Sequence, residues 1–236
     1  MSDRVAIITA SGRGIGAACA RTLTAHGYRV VLMSRSTDAL NLAKELNGIG
    51  LQGSVTDERS LESLFSAALD TYGHVDVVVN NTGDPARGDL LDLASEQWHA
   101  DMDLILLNVI RMARIVTPHM LSRKSGAIVN ISAADAYEPD LRFPIGSTLR
   151  AALGAWTKLY SDRYAKEGIR MNCVLPGIIF PPGWPADRAD VRARVPVGRA
   201  GSYEEIAEVV AFLLSAKASY ITGQNIRVDG GLVKYV

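Results

Sequence analysis

Short apolar runs alternate with longer amphipathic stretches along almost the whole chain. Several of the apolar runs are rich in Val and Ile and lack the strict polar–apolar alternation of a half-exposed strand. Such continuous runs are typical of strands that are covered on both faces of a sheet. The predicted strands are Val5–Thr9, Arg29–Met33, Ile49–Gly53, Val75–Val79, Gly126–Ile131, Ile169–Val174 and Asn225–Val228.

Between these runs, the spacing of apolar residues indicates amphipathic helices near 14–26, 37–46, 58–71, 95–121, 147–166 and 203–215. Because strands and helices alternate in order, the sequence predicts an α/β fold with a doubly wound parallel sheet. The stretch from Gly177 to Arg199 is expected to be irregular, since prolines disfavour regular structure. It follows a strand end, where such sheets bind ligands, so it either covers the substrate or is a structural loop. The prolines in or beside it are Pro176, Pro181, Pro182, Pro185 and Pro196.

The composition narrows the class of protein. With 236 residues, 48% of them hydrophobic, the chain suits a single domain over residues 1–236. Its 25 basic and 25 acidic side chains balance, so we expect no nucleic-acid partner. No apolar run approaches the ~18 residues of a membrane span, so we expect no membrane partner either. Met1 to Arg4 lead straight into the first strand and leave no room for a signal peptide, which predicts a cytoplasmic protein. Cys19 and Cys173 are expected to be buried thiols, and the four histidines lack the spacing of a metal site.

The first strand leads into a glycine-rich turn, Thr9-Ala10-Ser11-Gly12-Arg13-Gly14-Ile15-Gly16, and a helix follows. A strand, such a turn and a helix together present backbone N–H groups and a positive helix end to a phosphate. Gly14 and Gly16 lack side chains, so a pyrophosphate can approach the backbone. The turn therefore predicts a bound dinucleotide.

Several motifs in order resemble those of the short-chain dehydrogenase/reductase family. The turn resembles its Thr-Gly-x-x-x-Gly-x-Gly signature, with Ala10 where the first glycine is usual, and Asn80-Asn81-Thr82-Gly83 resembles its Asn-Asn-Ala-Gly motif. Pro176-Gly177, Tyr220–Gln224 and Val228–Gly231 match as well. The resemblance covers essentially the whole chain. It implies a Rossmann-like, seven-stranded parallel sheet with helices on both faces.

The resemblance also implies a homo-oligomer, either a tetramer or a dimer, that acts on a small-molecule substrate. The long fifth and sixth helices and the last strand of the family assemble such oligomers. Trp156, Tyr160 and Tyr164 lie on one such helix and either face a partner subunit or pack in the core.

The end of the second strand decides between NAD and NADP. A carboxylate there would favour NAD, but the chain has Ser34 followed by Arg35. Arg13 matches the family position that often pairs with the 2′-phosphate of NADP, and two guanidiniums suit a dianion. We therefore expect NADP(H). The residues expected to contact it are Thr9, Ser11, Arg13, Gly14, Ile15, Gly16, Ser34, Arg35, Ser54, Val55, Asn81, Thr82, Gly83, Pro176, Gly177 and Ile179.

The family normally carries out its chemistry with a Tyr that moves a proton, a Lys four residues later, a Ser and an Asn. Counting inward from the flanking strand and helix places these four positions at Gly146, Arg150, Ala133 and Ile105. A shift by one residue recovers only Ser132, and Asn108 lies one helical turn beyond Ile105. We therefore predict that the usual catalytic set is absent.

Replacement groups are expected on the loop after the fifth strand. Tyr137 is the candidate proton donor, and Asp135 is a candidate to stabilise a cationic intermediate, although either residue could equally be part of the wall or surface. Arg150 could bind an anionic group or the nicotinamide ribose, or be an ordinary salt-bridged residue. An Arg at this position also resembles the halohydrin dehalogenases, which bind no nicotinamide, but those enzymes lose the glycine turn that this chain keeps. Further candidates near the site are Asp84, Arg87, Glu138, Asp140, Arg142 and Trp184.

Three functions stay open. The first is an atypical NADP(H)-dependent reductase whose substrate needs little acid catalysis, such as an imine, a quinone or an activated carbonyl. The second is a non-redox isomerase, cyclase or lyase that uses the pocket for electrostatic stabilisation. The third is a catalytically inactive NADP-binding partner subunit.

Overall fold

The computed structural model describes residues 4–181, 183–185 and 187–234. Within these residues, seven parallel strands form one sheet in the order β3-β2-β1-β4-β5-β6-β7. The strands are β1 Arg4–Ile8, β2 Tyr28–Ser34, β3 Ile49–Gln52, β4 Val77–Asn80, β5 Gly126–Ile131, β6 Ile169–Pro176 and β7 Asn225–Val228. The chain first winds outward from β1 to β3 and then returns to build the other half from β4 onward. The predicted doubly wound parallel sheet is therefore confirmed.

Helices cover both faces of the sheet. They are α1 Gly14–Ala25, α2 Asp38–Glu45, α3 Glu58–Tyr72, α4 Ser95–Met102, α5 Asn108–Arg123, α6 Pro144–Tyr164, α7 Ala189–Arg192 and α8 Tyr203–Leu214. A π-helical turn, Asp103–Leu107, joins α4 to α5. The sixth helix begins earlier than predicted because Pro144 occupies its first turn, where a proline is well tolerated. Its early start places Gly146 in that first turn.

Successive side chains of each strand point to opposite faces of the sheet. In β1, Ala6 and Ile8 pack in the core under α1 and α8, whereas Val5 and Ile7 pack in the core under α3 and α5. Both faces are buried, which explains the continuous apolar runs in the sequence.

One helical stretch is long and apolar enough, by length and composition, to cross a membrane, contrary to expectation. It runs from Ser95 to Arg123 with a mean hydropathy of 1.4, and 44% of the window concerned is buried inside the protein. Core helices of soluble proteins pass the same test. Here Met112, Val116 and Met120 are fully buried under the sheet, and this packing accounts for the apolar character.

The aromatic side chains of α6 pack within the chain. Tyr160 is 3% exposed, and its hydroxyl lies 2.6 Å from the Thr117 hydroxyl in the core. Trp156 and Tyr164 are half-buried against the same core. Tyr160 therefore takes the core role and not the partner-facing one.

The proline-rich segment contains α7, which the sequence pattern did not predict. Pro182 lies outside the described residues, as do Met1 to Asp3. The Trp184 ring is 55% exposed and packs against Phe180, with 5.6 Å between ring centres.

Both cysteines are fully buried, as predicted. Burial raises the pKa of the Cys19 thiol to about 12 and that of the Cys173 thiol to about 11.

Candidate active site

The turn between β1 and α1 is held by hydrogen bonds to the two neighbouring strands. The Thr9 hydroxyl donates to the Asn81 carbonyl at 2.7 Å and accepts from the Asn81 N–H at 2.9 Å. The Ser11 hydroxyl accepts from the Met33 N–H at 3.1 Å. Ala10 adopts a left-handed backbone conformation with φ 44°, where the family signature carries glycine. The residues thus hold a tight turn even with alanine in the strained position.

The first turn of α1 is open to an anion. Its N-cap residue, Arg13, makes no capping hydrogen bond with its side chain, and the turn holds no acidic residue. A Cβ on Gly16 would lie 2.5 Å from the Ala10 carbonyl oxygen and 2.7 Å from Asn81 Nδ2, so only glycine fits there. Backbone N–H groups at such a helix end bind phosphate. The turn therefore fits the pyrophosphate of a dinucleotide.

Two arginines flank the end of β2. Arg13 and Arg35 are exposed, and within the described part of the chain neither side chain makes a hydrogen bond or ion pair. Ser34 is buried, and its hydroxyl accepts from the Ala39 N–H at 3.1 Å. Sequence reasoning left out Asp38, which begins α2 and accepts a hydrogen bond from the Ser36 hydroxyl at 2.7 Å. The free guanidiniums suit the 2′-phosphate of NADP.

The other expected cofactor residues lie at the carboxyl ends of their strands. A Cβ on Gly83 would meet no atom within 4 Å, whereas one on Gly177 would lie 2.7 Å from Asp229 Cα. The Thr82 hydroxyl is buried and has no hydrogen-bond partner among the described residues. The Val55 side chain packs in the core, so any cofactor contact from it would use its backbone. The remaining members of the set are Ile15 and Ile179, which pack partly buried at the core edge, and Ser54, whose hydroxyl lies 2.8 Å from that of Thr56.

A cleft of about 840 Å³ opens beside this region, at the carboxyl ends of β4, β5 and β6. Ligands bind at this edge in sheets of this kind. Its walls come from the loop after β4, the loop after β5, α6, the proline-rich segment and the last residues described. Apolar and charged side chains both line the cleft, and the charged members are Asp84, Arg87, Asp135, Glu138, Asp140, Arg142, Arg150, Arg188, Asp190, Arg194 and Lys234.

Most of these charges neutralise one another in pairs. The ion pairs are Arg87–Asp84, Arg142–Asp140, Arg150–Asp135 and Arg188–Asp190. Arg142 binds both oxygens of Asp140 and holds the pKa of that carboxyl at about 2. The side chains of Arg194 and Lys234 form no ion pair within the described ranges. Sequence reasoning missed Arg188, Arg194 and Lys234, since only the folded loop brings them to the cleft.

The pair formed by Asp135 and Arg150 is the most buried of the four. Arg150 Nη1 lies 3.6 Å from Asp135 Oδ2, and the two side chains are 13% and 12% exposed. Asp135 Oδ1 is buried and has no hydrogen-bond partner among the described residues. Burial raises the pKa of Asp135 above its ordinary value, and the attraction of Arg150 and a hydrogen bond from Ser147 offset this only in part.

Asp135 lies against the residue at the family's tyrosine position. A Cβ on Gly146 would be 3.4 Å from Asp135 Oδ2 and 3.0 Å from Pro85 Cγ. The carboxylate therefore lies within van der Waals distance of the point where a side chain at residue 146 would begin. Nothing near Pro85 in the sequence signals this contact.

The structure brings some sequence candidates to the cleft and not others. Ala133 lines it, whereas Ser132 is 4% exposed with its hydroxyl buried and unpartnered within the described residues. Ile105 packs against Ile145 and Leu149, and the Asn108 amide donates to the Leu104 carbonyl of its own helix. Neither Ile105 nor Asn108 lines the cleft.

Tyr137 also lies away from the cleft. It is 51% exposed, and the Arg227 guanidinium lies 5.8 Å from the centre of its ring. Of the three candidate catalytic residues, the cleft therefore contains Asp135 and Arg150 but not Tyr137. Trp184 is likewise not among the lining residues, although its neighbour Phe180 is. In the described residues, no group of three or more His, Cys, Asp or Glu is placed to hold a metal ion.

Comparison with known proteins agrees with this geometry. Residues 9–233 match a family model described as enoyl-(acyl carrier protein) reductase. The chain is 34% identical over 236 residues to the 3-oxoacyl-[acyl-carrier-protein] reductase FabG of Salmonella typhimurium, with 97% of each chain covered. It is 36% identical over 241 residues to the cis-4-hydroxycyclohexanecarboxylate dehydrogenase of Sinomonas cyclohexanicum, with 98% of this chain and 96% of the relative covered.

Solved structures extend the likeness to the whole fold. YwfH, an NADPH-dependent reductase involved in bacilysin biosynthesis, superposes with a TM-score of 0.93 at 27% identity over 100% of both chains. The L-sorbose reductase of Gluconobacter frateurii, complexed with NADPH and L-sorbose, has a TM-score of 0.91 at 28% identity and covers 100% of this chain and 98% of its own.

Proposed function

This chain belongs to the short-chain dehydrogenase/reductase family, and we propose that it is an NADP(H)-dependent reductase with a non-standard active site. The fit of the glycine turn to a pyrophosphate supports the dinucleotide, and Arg13 with Arg35 supports the 2′-phosphate. The NADPH named for both similar structures points the same way. When bound, the nicotinamide supplies the hydride, so the protein has to contribute orientation and proton handling.

The proposal of a non-standard active site is supported by the side chains found in the cleft, at the positions where the family has its catalytic groups. Ala133 and Gly146 offer no polar side chain, and Arg150 carries a guanidinium where the family carries its lysine. The buried pair of Asp135 and Arg150 is the polar group nearest to the missing tyrosine position. We propose that this pair orients the substrate and stabilises charge during hydride transfer. A small substrate that needs little acid catalysis, such as an imine, a quinone or an activated carbonyl, fits such a site.

The test is oxidation of NADPH by the purified protein with a panel of cyclic imines, quinones and ketones. We expect turnover of at least one imine or quinone and slower turnover of simple ketones. A product with the oxidation state of its substrate, formed without NADPH oxidation, would instead favour an isomerase, cyclase or lyase. NADPH binding without turnover of any panel member, together with co-purification of a second subunit, would favour the inactive partner role.

We also propose that the protein acts as a homo-oligomer in the cytoplasm. Support comes from exposed apolar residues on α6 and near β7, where Leu159 is 65% exposed and Tyr220 is fully exposed. Light scattering of the purified protein measures the oligomeric state, and a monomer at micromolar concentration would contradict it.

A further inference from the structure

The carboxylate of Asp135 lies beside the start of the side chain that carries the family's proton donor. Its Oδ2 is 3.4 Å from the Cβ position of Gly146, which is the residue at the family's tyrosine position. Asp135 follows β5 in the turn Ala134–Ala136, so the end of a core strand fixes its backbone. It faces the cleft, and the loop after β4 closes over Gly146 through Pro85.

The same carboxylate is prepared to exchange a proton. Asp135 Oδ1 is buried with no partner in the described part of the chain, so a ligand can satisfy it. The Ser147 hydroxyl accepts from the Asp140 N–H at 3.2 Å and keeps its own proton for donation to Asp135. Burial favours the neutral acid, and the nearby guanidinium of Arg150 favours the carboxylate.

We propose that Asp135 is the proton donor of this reductase, and that its substrate class is the basic imine and not the simple ketone. This inference rests on the proposed function and changes one part of it, since the imine here does need an acid and Asp135 supplies it. In the reaction, the Asp135 carboxyl gives its proton to the imine nitrogen and becomes a carboxylate paired with the iminium. The imine carbon then accepts a hydride from NADPH, the C=N double bond becomes a single bond, and the products are an amine and NADP⁺. Solvent returns a proton to Asp135.

The choice of C=N over C=O follows from the acidity of the donor. Proton transfer is efficient when the pKa values of donor and acceptor are close and lie near the working pH. A carboxylic acid, even one with a raised pKa, matches the nitrogen of an imine far better than the strongly basic alkoxide formed from a ketone. The family's tyrosine, with its ordinary pKa near 10, suits the alkoxide. Exchange of tyrosine for a carboxyl group therefore shifts the preference towards nitrogen.

Arg150 is a positioning residue in this scheme. Its guanidinium lies 3.6 Å from Asp135 Oδ2 and holds down the pKa of Asp135. Replacement by methionine removes that attraction, so the pKa of Asp135 rises further. Imine reduction by Arg150→Met should therefore stay active to a higher pH than in the parent, and Arg150→Lys should restore the original profile. A purely structural role would lower activity without moving the profile.

The decisive experiment compares three probes of one ring size: a methyl-substituted pyrroline, its N-methylated pyrrolinium cation, and cyclopentanone. The cation carries a permanent charge and needs no proton. We expect Asp135→Asn to lower kcat/KM for the pyrroline at least ~100-fold and that for the cation less than ~10-fold. Turnover of the cation by the variant also shows that it is folded and binds NADPH. The control is Asp162→Asn, on the exposed face of α6 and paired with Lys158, which should change neither value.

Each outcome decides between the two proposals. Equal losses for pyrroline and cation in Asp135→Asn, or faster turnover of cyclopentanone than of pyrroline by the parent, overturn the role of Asp135 and leave the reductase standing. Failure of the parent protein to oxidise NADPH with these probes or with quinones overturns the proposed function and the inference with it.

Discussion

Gly16→Ala tests the geometry of the cofactor turn most directly. The added methyl would lie 2.5 Å from the Ala10 carbonyl oxygen, 2.7 Å from Asn81 Nδ2 and 2.9 Å from Ser11 Cα. Two of these neighbours are backbone atoms, which cannot rotate away. Overpacking of this kind costs about 1–3 kcal/mol, and the better helix propensity of alanine returns about 1 kcal/mol. The middle of that range gives a net loss of about 1 kcal/mol, or a melting temperature roughly 2–4 °C lower for a chain of this length.

Thermal unfolding of the apo protein and titration with NADPH measure the two consequences of Gly16→Ala. The matched control is Gly83→Ala, since a Cβ there meets no atom within 4 Å and Gly83 is expected to line the cofactor site. The control should keep the melting temperature of the apo protein within about 1–2 °C. Its affinity for NADPH should fall by about tenfold or more, equal to ~1.4 kcal/mol. An unchanged melting temperature in Gly16→Ala would refute the close approach, and unchanged NADPH affinity in Gly83→Ala would refute its place beside the cofactor.

The remaining predictions concern cofactor choice, backbone strain and helix capping. Replacement of Arg13 or Arg35 by glutamine should raise the KM for NADPH by ~10–100-fold, since a charged hydrogen bond contributes about 1.5–3 kcal/mol. The KM for NADH should stay nearly unchanged. Equal effects on both cofactors would contradict a contact with the 2′-phosphate. Ala10→Gly should raise the melting temperature slightly, because it relieves ~1–2 kcal/mol of strain from the left-handed backbone at this position. This exceeds the ~0.4–1 kcal/mol by which glycine stabilises the unfolded chain through its entropy. A lower melting temperature would disprove the strain. Ser202→Ala should lower the free energy of unfolding in urea by about 1 kcal/mol, since the Ser202 hydroxyl accepts a hydrogen bond from the Glu205 N–H at the start of α8. An unchanged free energy of unfolding would mean that this cap is not formed in solution. Hydrogen bonds with the Arg199 guanidinium and the Ser202 N–H lower the pKa of Glu205 from 4.5 to about 2. The stabilisation from ionised Glu205 is therefore present above pH 4.5 and is lost as the pH falls towards 2. The difference in unfolding free energy between the parent and Glu205→Gln should shrink over that range.

The sequence predicted those features that depend on local patterns. Each strand of the sheet was found within two residues of its predicted ends, because strands buried on both faces leave a continuous apolar run. The cofactor turn was also predictable, since its function depends on backbone N–H groups and on glycines. The glycine positions are given directly by the sequence. The π-helical turn Asp103–Leu107 and the short helix α7 were missed, because neither changes the spacing of apolar residues over a long enough window.

The arrangement of the cleft could not be predicted in the same way. Asp135 and Tyr137 are two residues apart, yet one lines the cleft and the other is half exposed beside Arg227. The turn Ala134–Ala136 between them is a 3₁₀ turn, so residues two apart point in different directions. That turn is too short for its type to be predicted from the sequence. The choice of Tyr137 as the candidate proton donor rested on its chemistry alone, and its position outside the cleft is the reason we propose Asp135 for that role.

The contacts around Gly146 connect it, through Asp135, to Arg150, so two of the four positions that we compared with the family's catalytic groups share one set of neighbours. Gly146 leaves space that Asp135 and Pro85 occupy, with contacts of 3.4 and 3.0 Å to the position of a Cβ. A side chain at residue 146 would require the Pro85 ring to move by a few tenths of an ångström and would lie in van der Waals contact with the carboxylate, which is itself held by Arg150. A chain that had merely lost its chemistry would place no constraint on these contacts, whereas a buried ion pair with one unsatisfied oxygen is costly to keep without a ligand. The packing around Gly146 thus supports the proposed non-standard reductase over the alternative of an inactive partner subunit.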